Sequence, residues 1–223
     1  MVTITGHKGF LGKALVAQLL NQYKQEMAEN KPANKYVFYG FDLPEHTIIW
    51  PDPWNHLASR GGLYKGPDDL EDKVEIADGG VIHVAAVADL YESDKNPERN
   101  ERVNVEGTRN VARLCAKYKR RMTYISTCCA YGSAGEDGRL LTEEVEPKPT
   151  ELYAESKLAG EKEIAKVGAE TGWHDYVICR IATIYGPGMR PALFNSVALS
   201  AGRDGTEIVV HGEGRQTRTY GYV

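Results

Sequence analysis

The chain predicts a doubly wound α/β fold, a parallel sheet with helices on both faces, and three observations carry that expectation. Short apolar, β-branched runs alternate with stretches of helical periodicity along the 223 residues. The first run passes through a glycine-rich turn directly into a helix. No internal repeat or low-complexity linker breaks the alternation.

Taken in order, Val2-Thr-Ile-Thr5 reads as a strand, followed by the turn Gly6-His-Lys-Gly9-Phe-Leu-Gly12 and a helix near 12–28, in which Lys13–Leu20 has apolar residues at helical spacing. Residues 36–41 form a second strand ending at Asp42. The stretch from Trp50 to Gly66, rich in proline, glycine and aromatics, reads as irregular surface chain near an adenine edge. Strands follow at 81–86, 122–127 and 176–181, with helices near 98–118 and 152–170.

The glycine turn suggests the first chemistry. Gly6, Gly9 and Gly12, with Phe10 and Leu11 between the last two, permit a tight turn and close approach of backbone to a pyrophosphate, and the start of the following helix offers free N–H groups and a positive dipole end. Asp42, at the end of the second strand, is placed to accept hydrogen bonds from an adenosine ribose and to repel a 2′-phosphate, which favours NAD. Lys8, inside the turn, could instead pair with such a phosphate, so NADP stays open.

Tyr153 and Lys157 suggest the second chemistry. Four residues apart on a helix, they project from one face. A cation beside a phenol favours the phenolate, so a group that titrates near pH ~10 when free can exchange protons with a substrate hydroxyl nearer neutrality. Thr127, at a strand end, could hydrogen-bond the reacting oxygen, whereas Ser126 should face the other way. His83 in an apolar strand reads as a structurally satisfied histidine, and Asn104 as a structural support.

With these residues in view, the chain resembles the extended short-chain dehydrogenase/reductases, the NAD-dependent epimerase/dehydratase group, over nearly its whole length. Thr5-Gly6-x-x-Gly9-x-x-Gly12 is similar to that family's cofactor turn, and Val81-Ile-His-Val84-Ala85-Ala86 to its strand beside the cofactor. Asp69-Leu70 is similar to the pair that flanks adenine, and Asn104-Val-Glu-Gly-Thr108 to the helix segment supporting the active site on the cofactor side. Ser126-Thr127-Cys-Cys-Ala-Tyr131-Gly132 and Tyr153-x-x-x-Lys157 resemble the family's catalytic strand and helix. Arg180-Ile181-Ala-Thr-Ile-Tyr-Gly-Pro-Gly188 resembles the stretch leading to the substrate lobe, with Ile181 on the cofactor side. The resemblance implies a Rossmann-like NAD-binding domain over 1–180 and the start of a small substrate-binding lobe over 181–223, with Arg190, Arg203, Arg215 and Arg218 available to a phosphate. It also implies a homodimer and epimerisation of a sugar nucleotide through transient oxidation of a hydroxyl. Cys128 and Cys129 stand where the family's dehydratases place an acidic pair, which argues against dehydration. Thr183 replaces an asparagine that helps epimerases hold a diphosphate, so oxidation or reduction of a non-nucleotide alcohol remains an alternative, as does a cofactor-binding module without turnover. The family continues into further helices beyond a strand like Thr219–Val223, so the sequence reads either as a fragment or as a naturally short chain with an incomplete substrate pocket.

Composition agrees with these expectations. A hydrophobic content of 42% suffices for a full core, and a net charge of −4 gives no support to nucleic-acid or anionic-membrane binding. No metal site is expected. Cys115, Cys128, Cys129 and Cys179 lack zinc-like spacing and read as buried free thiols. A cytoplasmic location is inferred from these features, from the lack of a secretion signal and from the lack of a long apolar span. Because Asp42 should act by repulsion as well as attraction, NAD(H) should bind more tightly than NADP(H) in calorimetry; equal or reversed affinities would mean that Lys8 outweighs Asp42.

Overall fold

The computed structural model describes residues 2–6, 9–29, 38–41, 76, 78–132, 141–189, 201–205, 207 and 219–223. Its elements run β1 (Val2–Thr5), α1 (Phe10–Ala28), β2 (Phe38–Phe41), β3 (Val81–His83), α2 (Leu90–Lys95), α3 (Pro97–Glu101), a π turn (Arg102–Glu106), α4 (Gly107–Tyr118), β4 (Met122–Thr127), a 3-10 turn (Cys128–Tyr131), α5 (Leu152–Thr171), β5 (Tyr176–Ile181), β6 (Thr183–Tyr185) and β7 (Tyr220–Tyr222). They fall into two compact units, Met1–Arg180 and Ile181–Val223.

In the first unit the sheet order is β2-β1-β3-β4-β5. β1 pairs in parallel with both β2 and β3, and β3 with β4. The chain steps from β1 to one side for β2 and to the other for β3, so the order reverses between β1 and β3. A crevice opens at such a point beyond the carboxyl ends of the strands. Pairing of Thr5 with His83 marks it.

Alternation along each strand sorts the residues between the two faces. Ile4, Ile82 and Val84 pack with Val16, Leu15, Leu19 and Leu20 of α1. Val81, Met122 and Tyr124 pack on the opposite side with Val111, Ala112 and Cys115 of α4, Ile164 and Val167 of α5, and Trp173. Both faces are therefore covered, as parallel sheets require. In the second unit β6 pairs in parallel with β7, and Tyr185 meets the rings of Tyr220 and Tyr222 edge-on.

The expected strands and helices are present, with three differences. The strand expected over 81–86 stops at His83, because Val84 N–H still bonds Thr5 O at 3.3 Å but Ala85 N–H turns to the Thr5 side chain at 3.2 Å. The helix expected over 98–118 starts at Pro97 and widens into the π turn, where the Thr108 hydroxyl donates to Asn104 O at 2.7 Å; π turns of this kind are frequent at functional sites. The short helix α2 was not expected, although its signal was present: Asp89 caps Glu92 N–H at 3.1 Å, with the glutamate at the third helical position. Helix α5 ends where Gly172 adopts a left-handed φ of 72°.

Helix α5 lies close to the sheet because it carries a glycine at the crossing. A Cβ on Gly160 would stand 2.5 Å from the buried Tyr124 hydroxyl oxygen and 2.8 Å from Asn104 O. Gly160→Ala should therefore lower unfolding free energy by about 1–3 kcal/mol in chemical denaturation, despite alanine's better helix propensity. Unchanged or increased stability would show that this contact is looser than it looks.

Candidate active site

Gly6 opens the site. It is buried, its φ is 70°, and a Cβ there would stand 2.6 Å from Ala85 N and 2.7 Å from Ala85 Cα. Only glycine fits both the conformation and the approach. The turn closes with Gly9 N–H on Gly6 O at 3.0 Å and Lys13 N–H on Gly9 O at 2.9 Å, and α1 begins at Phe10. Gly9 is exposed, Phe10 and Leu11 are half-buried and Gly12 is buried. Val84 and Ala85 thus flank the glycine turn, with Ala86 next in the chain. Lys8, Asp42, Asp69 and Leu70, and the irregular stretch from Trp50 to Gly66, lie outside the described residues, as do Arg190, Arg215 and Arg218. Arg203 is exposed and paired with Asp204. Ile181 closes β5 and begins the second unit.

Behind the turn runs a buried chain of hydrogen bonds whose direction can be worked out. Thr108 spends its hydroxyl proton on Asn104 O, so at the 3.1 Å contact with His83 it accepts from Nε2–H. Burial, with help from the charge of Lys157, depresses the His83 pKa to about 3, so the imidazole is neutral. Its Nδ1 is then an acceptor and takes the Thr5 hydroxyl at 2.5 Å, while Thr5 accepts from Ala85 N–H. The bonds run one way, from Ala85 through Thr5, His83 and Thr108 to Asn104. His83 serves as the internal support that its apolar strand suggested.

Asn104 extends this network to the helix of the tyrosine. Its Oδ1 accepts from Val87 N–H at 2.8 Å, and its Nδ2 lies 3.1 Å from Val87 O, 2.7 Å from Asn100 Oδ1 and 2.9 Å from Ser156 Oγ. Ser156 in turn donates to Tyr153 O at 2.7 Å. The two amide hydrogens are taken up by protein acceptors, so Asn104 acts on this side of the site by holding the loop after β3 and the first turn of α5.

Tyr153 is half-buried in that first turn, and Lys157, one turn further, is 1% exposed. The Lys157 ammonium sits over the Tyr124 ring, 4.0 Å from its centroid, and the Tyr124 hydroxyl donates to Lys157 O at 3.3 Å. Burial lowers the Lys157 pKa to about 7, against the raising effect of the Glu161 carboxylate. Helix α5 packs on β4, which ends at Thr127, and on the 3-10 turn that follows it. Thr127 is 7% exposed and its Oγ1 accepts from Cys129 N–H at 3.2 Å, while Ser126 donates to Glu161 of α5 at 2.5 Å.

The sequence reading missed Tyr124, Glu161, Ser156 and Tyr131. Glu161 had a signal, since it stands one turn beyond Lys157 on the same helical face; the others are polar groups whose partners come from distant parts of the chain. All four cysteines are free, but only Cys115 is fully buried, which pushes its thiol up to about 12. Cys128, Cys129 and Cys179 are half-buried, because the strand and turn that carry them are not covered on every side. Among the described residues no group of His, Cys, Asp and Glu is arranged to hold a metal, and no helix is long and apolar enough to cross a membrane.

Comparison with known proteins agrees with this geometry. The family model described as "NAD dependent epimerase/dehydratase family" matches residues 2–223. GDP-6-deoxy-D-mannose reductase of Pseudomonas aeruginosa is 31% identical over 157 residues, covering 69% of this chain and 51% of that protein. The chain thus spans about half the length of that relative. The solved structure of MoeE5 in complex with UDP-glucose and NAD superposes with a TM-score of 0.72 at 26% identity, over 99% of this chain and 67% of that one. UDP-N-acetylglucosamine 4-epimerase from Methanobrevibacter ruminantium M1 shares the fold, with a TM-score of 0.78 at 22% identity over 99% and 68% of the two chains.

The buried lysine has a cost that can be measured. Between about pH 7 and 10.5 the unfolded chain holds a proton on Lys157 that the folded chain does not, so the penalty is complete below pH 7 and fades toward pH 10.5. Lys157→Met should raise unfolding free energy at neutral pH by about 1–3 kcal/mol. The gain should shrink as pH rises. Denaturation curves across that range check it, and a variant destabilised at every pH would show that the ammonium is a net stabiliser.

Proposed function

The chain belongs to the NAD dependent epimerase/dehydratase family, and from that footing we propose that it is an NAD-dependent epimerase acting on a sugar nucleotide. The observation that carries this reading is a buried ammonium, Lys157, one turn from Tyr153 on the helix packed against the Thr127 strand. A lysine is almost never fully buried without a partner, and this one rests its ammonium over the Tyr124 ring with the Glu161 carboxylate as counter-charge.

The residues present fit the cofactor. The Gly6 approach to Ala85 leaves backbone with no side chain in the way, the start of α1 supplies N–H groups for a pyrophosphate, and Lys157 has donors for ribose hydroxyls. NAD, when bound, supplies a hydride acceptor. Tyr153 takes the proton of the substrate hydroxyl and later returns it. Lys157 favours the phenolate by its charge, and Thr127 donates a hydrogen bond to the substrate oxygen as it becomes a carbonyl. Cys128 and Cys129 follow Thr127 where elimination of water would need carboxylates, so the oxidised sugar is reduced again without dehydration.

Residues 1–180 then form the cofactor-binding domain and 181–223 the opening part of a substrate lobe, in a homodimer. Thr183 and the similarity to a reductase favour a second reading, a dehydrogenase or reductase that releases its oxidised or reduced product. The nicotinamide decides between them. An epimerase converts UDP-glucose, used as the probe, without lasting accumulation of NADH, whereas a dehydrogenase accumulates it.

Tyr153→Phe should leave NAD affinity intact and reduce turnover by about 10²-fold or more. Lys157→Met should weaken both, since it removes a ribose contact together with the charge. Near-normal turnover in Tyr153→Phe would rule out this mechanism.

A further inference from the structure

Arg180 is engaged on two sides. Its Nε lies 3.0 and 3.2 Å from the two oxygens of Glu161 and its Nη2 2.6 Å from Oε2, while Nη1 donates to the Tyr131 hydroxyl at 2.9 Å. The guanidinium also stacks over the Tyr131 ring, 4.9 Å from its centroid. The two partners belong to different pieces of the site. Glu161 stands one turn beyond Lys157 on α5, is 6% exposed, and also receives the Ser126 hydroxyl from β4. Tyr131 is 6% exposed and ends the 3-10 turn whose Cys129 N–H bonds to Thr127 Oγ1.

We propose, on the footing of the roles given above to Thr127, Tyr153 and Lys157, that Arg180 is a positioning residue that locks the turn following Thr127 onto the helix carrying Tyr153 and Lys157. The chemistry suits the task. A guanidinium holds a carboxylate with two parallel bonds in one plane and has a further N–H directed elsewhere, whereas a lysine offers a point charge on a flexible stem. Placed between Glu161 and Tyr131, Arg180 removes the freedom of the turn to slide along α5. Small displacements matter in such a site, because proton transfer demands that acceptor and donor stand within hydrogen-bond reach of the same substrate oxygen.

Removing Arg180 alone would strand a buried carboxylate and threaten folding, so the test uses three milder changes. Tyr131→Phe deletes one hydroxyl and keeps the ring. Arg180→Lys keeps the charge and removes the fork. Arg180→Met combined with Glu161→Gln removes the pair, and because it also takes the Glu161 charge from Lys157 it is read by hydrogen exchange alone. Hydrogen exchange of the amides of 128–132, compared with those of α5, reads the lock. Turnover of UDP-glucose with NAD reads its consequence, split into kcat and KM, with NAD affinity measured separately.

In all three variants the turn amides should exchange about tenfold faster. In Tyr131→Phe and Arg180→Lys, kcat should fall about tenfold while KM and NAD affinity stay within about twofold. A merely structural role would move stability and cofactor affinity together and would not separate kcat from KM. Unchanged exchange overturns the lock, and faster exchange with unchanged kcat overturns the positioning role while leaving Tyr153 its function. An unaltered protein that binds NAD yet converts no UDP-glucose is a different failure: it overturns the assignment of Tyr153, and the positioning role with it.

Discussion

Everything in the first unit is arranged around the parallel pairing of Thr5 with His83 at the point where the sheet order reverses. The constraint is steric and polar at once. Gly6 must lie against Ala85 for the turn to close, and beyond that contact the backbone N–H of Ala85 has no ladder partner. Thr5 supplies one with its side chain, which draws in His83, Thr108 and Asn104 in a single direction of donation. Buried polar groups are costly when unmet and rigid when fully met, and here each acceptor is met by the donor before it. The cofactor turn, the π turn and the start of α5 are thereby held in one frame, although they come from three distant parts of the chain.

Against that frame stands one interaction that works the other way. The Lys157 ammonium is buried over an aromatic ring, with Glu161 on the next turn as its nearest counter-charge and with that carboxylate already forked by Arg180. The arrangement costs folding energy and holds the lysine near the midpoint of its titration at neutral pH. Such tension between stability and chemistry is common at active sites, where strained or poorly solvated groups are kept for what they do. Gly160 belongs to the same compromise, since it gives up helix propensity so that α5 can lie against Tyr124 and Asn104.

The proposed reaction class rests on the turn after Thr127. Two thiols occupy the positions in which an elimination would need carboxylates, and neither is fully buried. On the proposed mechanism, proton traffic at this site is left to the phenol and its lysine. The hydroxyl of Thr127 itself is partly spent on Cys129 N–H, which orients it and leaves its proton available for an oxygen in front of it.

The order of strands and helices, the glycine turn and the Tyr153–Lys157 spacing were legible in the sequence because each depends on neighbours within one or two turns of chain. Periodicity located α1, α5, β1 and β4 to within a residue or two. It could not show that β3 would stop at His83, that Asn104 would lie in a π turn, or that Ser126, Glu161, Arg180 and Tyr131 would form one cluster. Those outcomes depend largely on side-chain hydrogen bonds between residues distant in the chain, such as Arg180 with Glu161, 19 positions apart, and Ala85 with Thr5, 80 apart. The same limit applies to Lys157: spacing put it beside Tyr153, but its burial, and with it the depressed pKa that suits it to the reaction, arose only when β4 brought Tyr124 beneath it.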